Sequence, residues 1–203
     1  MSYYNSGRAR KVPGEVIKRM YMNWCPPDYS EGFDEIELMY NYGSNAIRMK
    51  YTYESLFNEV NGIDFMPQEN SHHRLTLGGH CRAAEQYAFD HYPDNQRLQF
   101  AALFHDCGKP FTKTTVNSRG EEDGQCHYYQ HQCVGAYDFL MYADDIRLSK
   151  DDAIYISNLI YFHMHPFLSW EKSEKSRNKA IRSIGKSMYD DVMKLHEADL
   201  VAH

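Results

Sequence analysis

The chain has 203 residues, 42% of them hydrophobic and 25% charged, with a net charge of −6, 11 histidines, 17 tyrosines and five cysteines. That length and composition suit an ordinary globular protein with one well-formed core. The acidic balance excludes a global field that would gather nucleic acid, and no apolar run reaches membrane-spanning length.

The opening MSYYNSGRARKV is polar and lacks the apolar centre of a secretion signal, so a cytoplasmic protein is expected. Residues 1–30 mix Gly, Pro and charge, with CPPDYS as a breaker. From there the chain reads as helices separated by short punctuation. SEGFDEIELMYNYG, with a Ser start, early acids and a terminal Gly, predicts a short helix, and TYESLFNEVNG predicts another. LTLGGHCRAAEQYAFDHYP puts Leu77, Cys81, Ala84 and Ala88 near helical spacing and closes at Pro93. NQRLQFAALFHDCGKP predicts a second long helix running to Gly108-Lys109-Pro110, and FTKTTVNSRGEEDGQ reads as a polar surface loop. YYQHQCVGAYDFLMYADD resumes as helix. SKDDAIYISNLIYFHMHP follows with a Ser cap and Asp152 where a capping box would carry Glu or Gln. SEKSRNKAIRSIGKSMYDDVMKLHEADLVAH supplies one or two closing helices. The expectation is an all-α, single-domain helical bundle, with residues 1–64 as a helical extension packed on or leading into the core formed by residues 65–203.

LFHDCGKP sets an imidazole and a carboxylate, His105 and Asp106, at the edge of an apolar run. Burying such groups is costly unless something pairs with them, and a divalent cation pairs with both. His80, the His105–Asp106 pair, His131, His163 and Asp199 fall on successive predicted helices, and bundles build metal sites from one donor per facing helix. The set contains no thiolate and suits Mn, Fe, Ni, Co, Zn or Mg alike. The five cysteines (Cys25, Cys81, Cys107, Cys126, Cys133) are an odd set without CxxC spacing and read as reduced, mostly buried thiols.

The ordered set His80, His105-Asp106, Asp199 resembles the HD-domain superfamily of metal-dependent phosphohydrolases. HDCGKPFTKT followed by GQCHYYQHQCVGA is similar to the HD domain of bacterial CCA-adding tRNA nucleotidyltransferases and their stand-alone relatives. QENSHHRLTLGGHC and RSIGKSMYDDVMKLHEADLVAH are similar to the segments around the first and last ligands, so the resemblance covers roughly residues 65–203. Cys107 stands where relatives carry an aliphatic residue. The first 65 residues hold no nucleotidyltransferase head or its paired acids, so tRNA tailing is not carried over.

The resemblance implies an HD-type bundle and one or two divalent metal ions held by His80, His105, Asp106 and Asp199, with His131 and His163 serving a second ion or the phosphate. His165 competes with His163 in FHMHP, and on a helix the two point to different faces. Asp106, Lys109 and His131 would carry the chemistry, and His73, Lys109 and Arg182 would contact substrate. The implied activity is hydrolysis of a phosphorylated small molecule, a nucleotide favoured, by metal-activated water; nucleic acid is the less favoured partner and no membrane is implied. Two other classes compete with it. One is a metal-stabilised module binding RNA or protein, with Arg8, Arg10 and Lys11 as a basic arm; the other is a dinuclear-iron HD oxygenase.

Overall fold

Residues 12–39, 56, 62–69 and 74–203 are described by a computed structural model, and helices dominate them. The expected all-α, single-domain bundle is what these residues form. Helix α1 (Gly14–Met22) follows Pro13. Helix α2 (Leu77–His91) starts where the Thr76 hydroxyl accepts from the Gly79 amide at 3.1 Å, satisfying one of the unpaired first-turn donors. Its buried face carries Leu77, His80, Cys81, Ala84 and Ala88, spaced at one helical turn. Helix α3 (Gln96–Phe104) is capped by Asn95, whose side chain accepts from the Leu98 amide at 3.1 Å. After it come a turn over residues 105–108 and the one-turn helix α4 (Lys109–Thr112). A hairpin of β1 (Thr114–Val116) and β2 (Glu122–His127) then leads to α5 (His131–Asp145) and α6 (Lys150–Phe162). The short α7 (His165–Leu168), then α8 (Glu174–Ile184) and α9 (Lys186–Val201), complete the chain, the last two separated at Gly185.

Helices α5 and α6 pack side by side, as do α2 and α3, while α9 lies against α2, α3 and α6. Phe104 ties the bundle together. Its ring meets Phe139 edge-on at 5.1 Å and stacks with Tyr142 at 5.7 Å, and all three side chains are fully buried. Leu56 and Ile63 from the extension sit in the same core as Leu77 and Leu98. Helix α1 docks on α5, where Tyr21 and Trp24 each meet the Tyr137 ring edge-on at 5.3 Å.

Three expectations need correction. The segment after Tyr29 makes one 3-10 turn, Tyr29–Glu31, and residues 32–39 carry no helix; Gly32 takes a left-handed φ of 92° that ends the turn at once. The helix expected through Gly108-Lys109-Pro110 stops at Phe104. Cys107 N and Lys109 N bond to the carbonyls three residues back instead of four, and Pro110 sits in the first turn of the next helix, a position that needs no amide hydrogen. The expected loop after Phe111 is the β1–β2 hairpin, antiparallel with Thr114 opposite His127 and Val116 opposite Glu122, the register shifting between. Helix α1 lies within residues 1–64, expected as a helical extension, in a stretch where no individual helix was delimited. The helix predicted for TYESLFNEVNG falls outside the described residues apart from the buried Leu56.

All five cysteines are free; Cys81, Cys107, Cys126 and Cys133 are buried and Cys25 is exposed. Among the described residues no helix is long and apolar enough to cross a membrane.

Candidate metal centre

Six side chains from five segments converge at one end of the bundle. His80 stands one turn into α2, and His105 caps the C-terminal end of α3 with Asp106 in the turn beyond. His131 is the first residue of α5, His163 caps the end of α6, and Asp199 lies in the last turn of α9. None of the six is more than 6% exposed. They form two groups, His80–His105–Asp199 and Asp106–His131–His163, each with donor atoms within 4.8 Å of one another.

Asp106 joins the groups. Its Oδ2 lies 3.5 Å from His80 Nε2 and 3.4 Å from His105 Nε2. Its Oδ1 lies 3.1 Å from His131 Nε2 and 3.8 Å from His163 Nε2. Asp199 Oδ1 completes the first group at 3.0 Å from His80 Nε2 and 3.5 Å from His105 Nε2.

The backbone fixes which ring nitrogen is available. His105 Nδ1 donates to Ala102 O, His131 Nδ1 to Tyr128 O and His163 Nδ1 to Ile160 O, all at 2.7 Å, and His80 Nδ1 donates to Ala202 O at 3.2 Å. A carbonyl only accepts, so each Nδ1 carries the proton and each neutral ring turns an Nε2 lone pair inward. Those lone pairs confront one another, His80 with His105 at 3.1 Å and His131 with His163 at 3.2 Å. Buried acceptors pointed at each other, with two carboxylates added, demand positive charge between them. Cation bonds of about 2.1 Å set neighbouring ligands about 3.0–3.4 Å apart, the spacing of most of these atoms. The residues present therefore fit one divalent cation per group with Asp106 shared, and they leave coordination positions open.

The electrostatics agree. Burial pushes the Asp106 carboxyl up, but Lys109 and His105 beside it hold it well below the usual carboxylate range. Against the same burial, hydrogen bonds from His105 and His80 hold Asp199 low. For His105, burial opposes the charge, yet Asp106 and then Asp199 raise its pKa well above the usual range: without a cation these carboxylates favour a proton on the ring, in the place a bound cation would take. Burial, with His131 and His105 close by, holds His163 down to about 3, in the neutral form that ligates.

Lys109 Nζ lies 2.6 Å from Asp106 Oδ2 and 2.7 Å from Gln68 Oε1, and 5.5 Å from the centre of the Tyr128 ring. It stands in the first turn of α4, not at a helix C-terminus, so its place is explained by Asp106 and not by a helix dipole. A cavity of about 610 Å³ opens over Asp106, His131, His163 and Asp199, while His80 and His105 lie behind them and do not line it. Asp106, Lys109, His131, His163 and Asp199 line its floor; residues 125–129 at the end of the hairpin, Met164, Phe167, Leu200 and His203 line its walls.

Gly108 makes this convergence sterically feasible. A Cβ on it would sit 2.1 Å from His131 O and 2.5 Å from Gly135 N, so the turn carrying Asp106 touches the first turn of α5 backbone to backbone.

Of the residues singled out in the sequence, His80, His105, Asp106, Lys109, His131, His163 and Asp199 are brought together. His165 is not; it lines a separate cavity with Phe162 and Trp170. Arg182 is exposed on α8 and does not line the cavity over the two groups. His73 and the basic arm of Arg8, Arg10 and Lys11 lie outside the described residues. Three residues at the site were missed. Gln68 and Tyr128, the latter donating to Gln68 O at 2.6 Å, carry no local signal. His203, 3.6 Å from Asp199 Oδ1, stands one helical turn beyond it, a spacing that could have been read.

No model of a known protein family matches the chain, and no curated protein matches it either.

Proposed function

We propose that this chain is an HD-type metal-dependent phosphohydrolase that cleaves a nucleotide or nucleotide-like phosphoester. The observation that carries the reading is the sharing of Asp106 between two buried His/Asp groups whose open side faces a cavity with Lys109 on its floor. Divalent ions held there would lower the pKa of a coordinated water toward neutrality and polarise a phosphoryl oxygen.

The chain's own residues supply the rest. The Nδ1–carbonyl bonds orient four imidazoles so that each Nε2 faces inward, toward the ions it would hold. Lys109, fixed by Asp106 and Gln68, holds a positive charge at the cavity floor, where it balances negative charge that builds on phosphorus. The apolar α3 behind His105 excludes water from the back of the site, which strengthens each of these interactions.

Lys109 favours the hydrolase over the oxygenase reading, because a fixed ammonium beside the ligands serves an anionic substrate. The cavity over the open side favours it over a purely structural metal. The five unpaired cysteines support a reducing compartment and hence a cytoplasmic setting.

The test is metal analysis of the purified chain followed by turnover of a panel of phosphomonoesters and phosphodiesters with Mn, Fe, Ni, Co, Zn or Mg supplied. Metal-dependent release of phosphate or opening of a diester, abolished by Asp106→Asn, is expected. Absence of turnover across the panel, or dioxygen consumption by the iron-loaded chain, overturns the reading.

A further inference from the structure

Three large apolar side chains that are conspicuously exposed collect around the mouth of the cavity: Tyr129 at 42%, Phe167 at 44% and Leu200 at 49%. They come from three different elements: the end of the hairpin, α7 and α9. Single exposed apolar residues need no explanation, but three converging on the rim of one polar cavity form a patch with a use. Two of the rings are held in place. Phe167 is met edge-on by His196 with centroids 4.2 Å apart, and Tyr129 stacks parallel to His127 at 5.5 Å and 6°. His127 is in turn tied to Asp123 at 3.0 Å within the hairpin. Flat surfaces fixed in this way lose little conformational entropy when another flat ring lies on them.

The charge around the cavity limits what accompanies that ring. Among its described lining residues Lys109 is the only Lys or Arg, and two carboxylates, Asp106 and Asp199, share the floor. Two divalent ions and Lys109 against those carboxylates leave more positive charge than one phosphoryl dianion requires and less than a triphosphate tail carries. A di- or triphosphate tail would extend toward walls where, among the described residues, Tyr128, Tyr129, Met164, Phe167 and Leu200 stand with Gln125, His127 and His203 and no Lys or Arg supplies a fixed positive charge.

We propose that the collar of Tyr129, Phe167 and Leu200 is a ring-recognition subsite and that the substrate is a nucleoside carrying a single phosphoryl group, its base seated on the collar and its phosphate over Asp106 and Lys109. This rests on the phosphoester reading above and narrows it. Sugar phosphates, which offer no flat apolar face, and nucleoside triphosphates, which bring unmatched charge, are selected against.

The test measures binding, so that it does not depend on turnover. Non-hydrolysable phosphonate analogues of adenosine, guanosine, cytidine and uridine monophosphates, with the phosphonate at the 5′ or 3′ position, are titrated into the Mn²⁺-supplemented full chain beside the phosphonate of ribose alone. At least one nucleoside analogue is expected to bind tenfold or more tightly than the ribose analogue, and the corresponding triphosphate no more tightly than the monophosphate. Phe167→Ala and Tyr129→Ala, both at exposed positions that hold no metal donor, are each expected to cost about tenfold for the nucleoside analogue and less than twofold for the ribose analogue. Equal binding of nucleoside and ribose analogues, wild-type binding by both variants, or no binding of any analogue overturns the subsite. Ring discrimination without hydrolysis of any phosphoester overturns the hydrolase reading while the subsite stands; hydrolysis without ring discrimination does the reverse.

Discussion

His80 and His105 face each other Nε2 to Nε2 at 3.1 Å, each with its other ring nitrogen already committed to a backbone carbonyl. A second pair, His131 and His163, repeats the relationship at 3.2 Å on the far side of Asp106. Two such pairs around one carboxylate predict two ions per chain. Replacing His131 by Ala should lower the bound metal from two equivalents to one, and Asp106→Asn should weaken both sites together, because its two oxygens serve both groups. Elemental analysis after dialysis against a trace chelator reads the stoichiometry. Loss of the entire metal complement in His131→Ala, or full retention in Asp106→Asn, would contradict the shared-carboxylate geometry.

Lys109 touches Asp106 but donates to it, and an ammonium is no metal ligand at neutral pH. Lys109→Met should therefore keep its metal content while losing about a hundredfold or more in kcat on a phosphoester substrate, the scale on which removing one fixed charge from a dry site acts. Parallel metal analysis and steady-state kinetics separate this outcome from general disruption.

Asp138, 1% exposed on α5, receives the Tyr21 hydroxyl of α1 on Oδ1, and its Oδ2 has no partner among the described residues. Burial raises its carboxyl to about 7, although the Tyr21 hydrogen bond works in the opposite direction. The folded state therefore holds a proton that the unfolded chain gives up at an ordinary carboxylate pH. Stability contributed by the protonated acid is intact below the unfolded value and declines as pH rises from about 4 to about 7. The decline approaches roughly 4 kcal/mol, at about 1.4 kcal/mol per pH unit between the two titrations. Asp138→Asn should flatten this dependence, leaving the variant relatively more stable at pH 7.5 than at pH 4.5. Chemical denaturation at the two pH values measures it, and parallel pH profiles for wild type and variant would contradict the buried-acid account.

Gly108→Ala places a methyl group 2.1 Å from His131 O, too close for any side-chain adjustment to relieve, because both contacts are backbone. The turn must move away from α5 at a cost of roughly 1–3 kcal/mol, the range typical of overpacking. Since Asp106 rides on that turn, a lowered melting temperature should come with weakened metal binding. Gly120→Ala is the control: its added Cβ meets nothing within 4 Å, so its left-handed strain at φ 84° should lower stability without touching the metal.

The helical periods of α2, α5 and α6 were legible because their buried runs are written locally, and for α6 because Ser149 caps its first turn. The donor set was legible because His and Asp next to apolar runs are costly unless paired. Other features had no such local signature. The hairpin has a polar, Gly-interrupted β2 whose burial is confined to Cys126 and His127, so no alternation marks it. It is held instead by distant partners, with Cys126 N donating to Glu69 O at 2.9 Å and Tyr128 to Gln68 O. The early end of α3 was misjudged because Gly-Lys-Pro reads equally as a stop or as the start of a new turn. The collar of Tyr129, Phe167 and Leu200 exists only after three separate elements have met.

Three of the four inward-facing imidazoles are aimed by a carbonyl three residues earlier in the chain. His80 differs, depending on Ala202, 122 positions away. Ring orientation around Asp106, His131 and His163 is thus decided within single turns of backbone, and that half of the centre is preorganised wherever α3, α5 and α6 have assembled. The other half takes both its Asp199 oxygen and its anchor for His80 from α9. The affinity of that half for an ion would therefore gauge whether the C-terminal helix has docked, and the two halves would report successive stages of the same assembly.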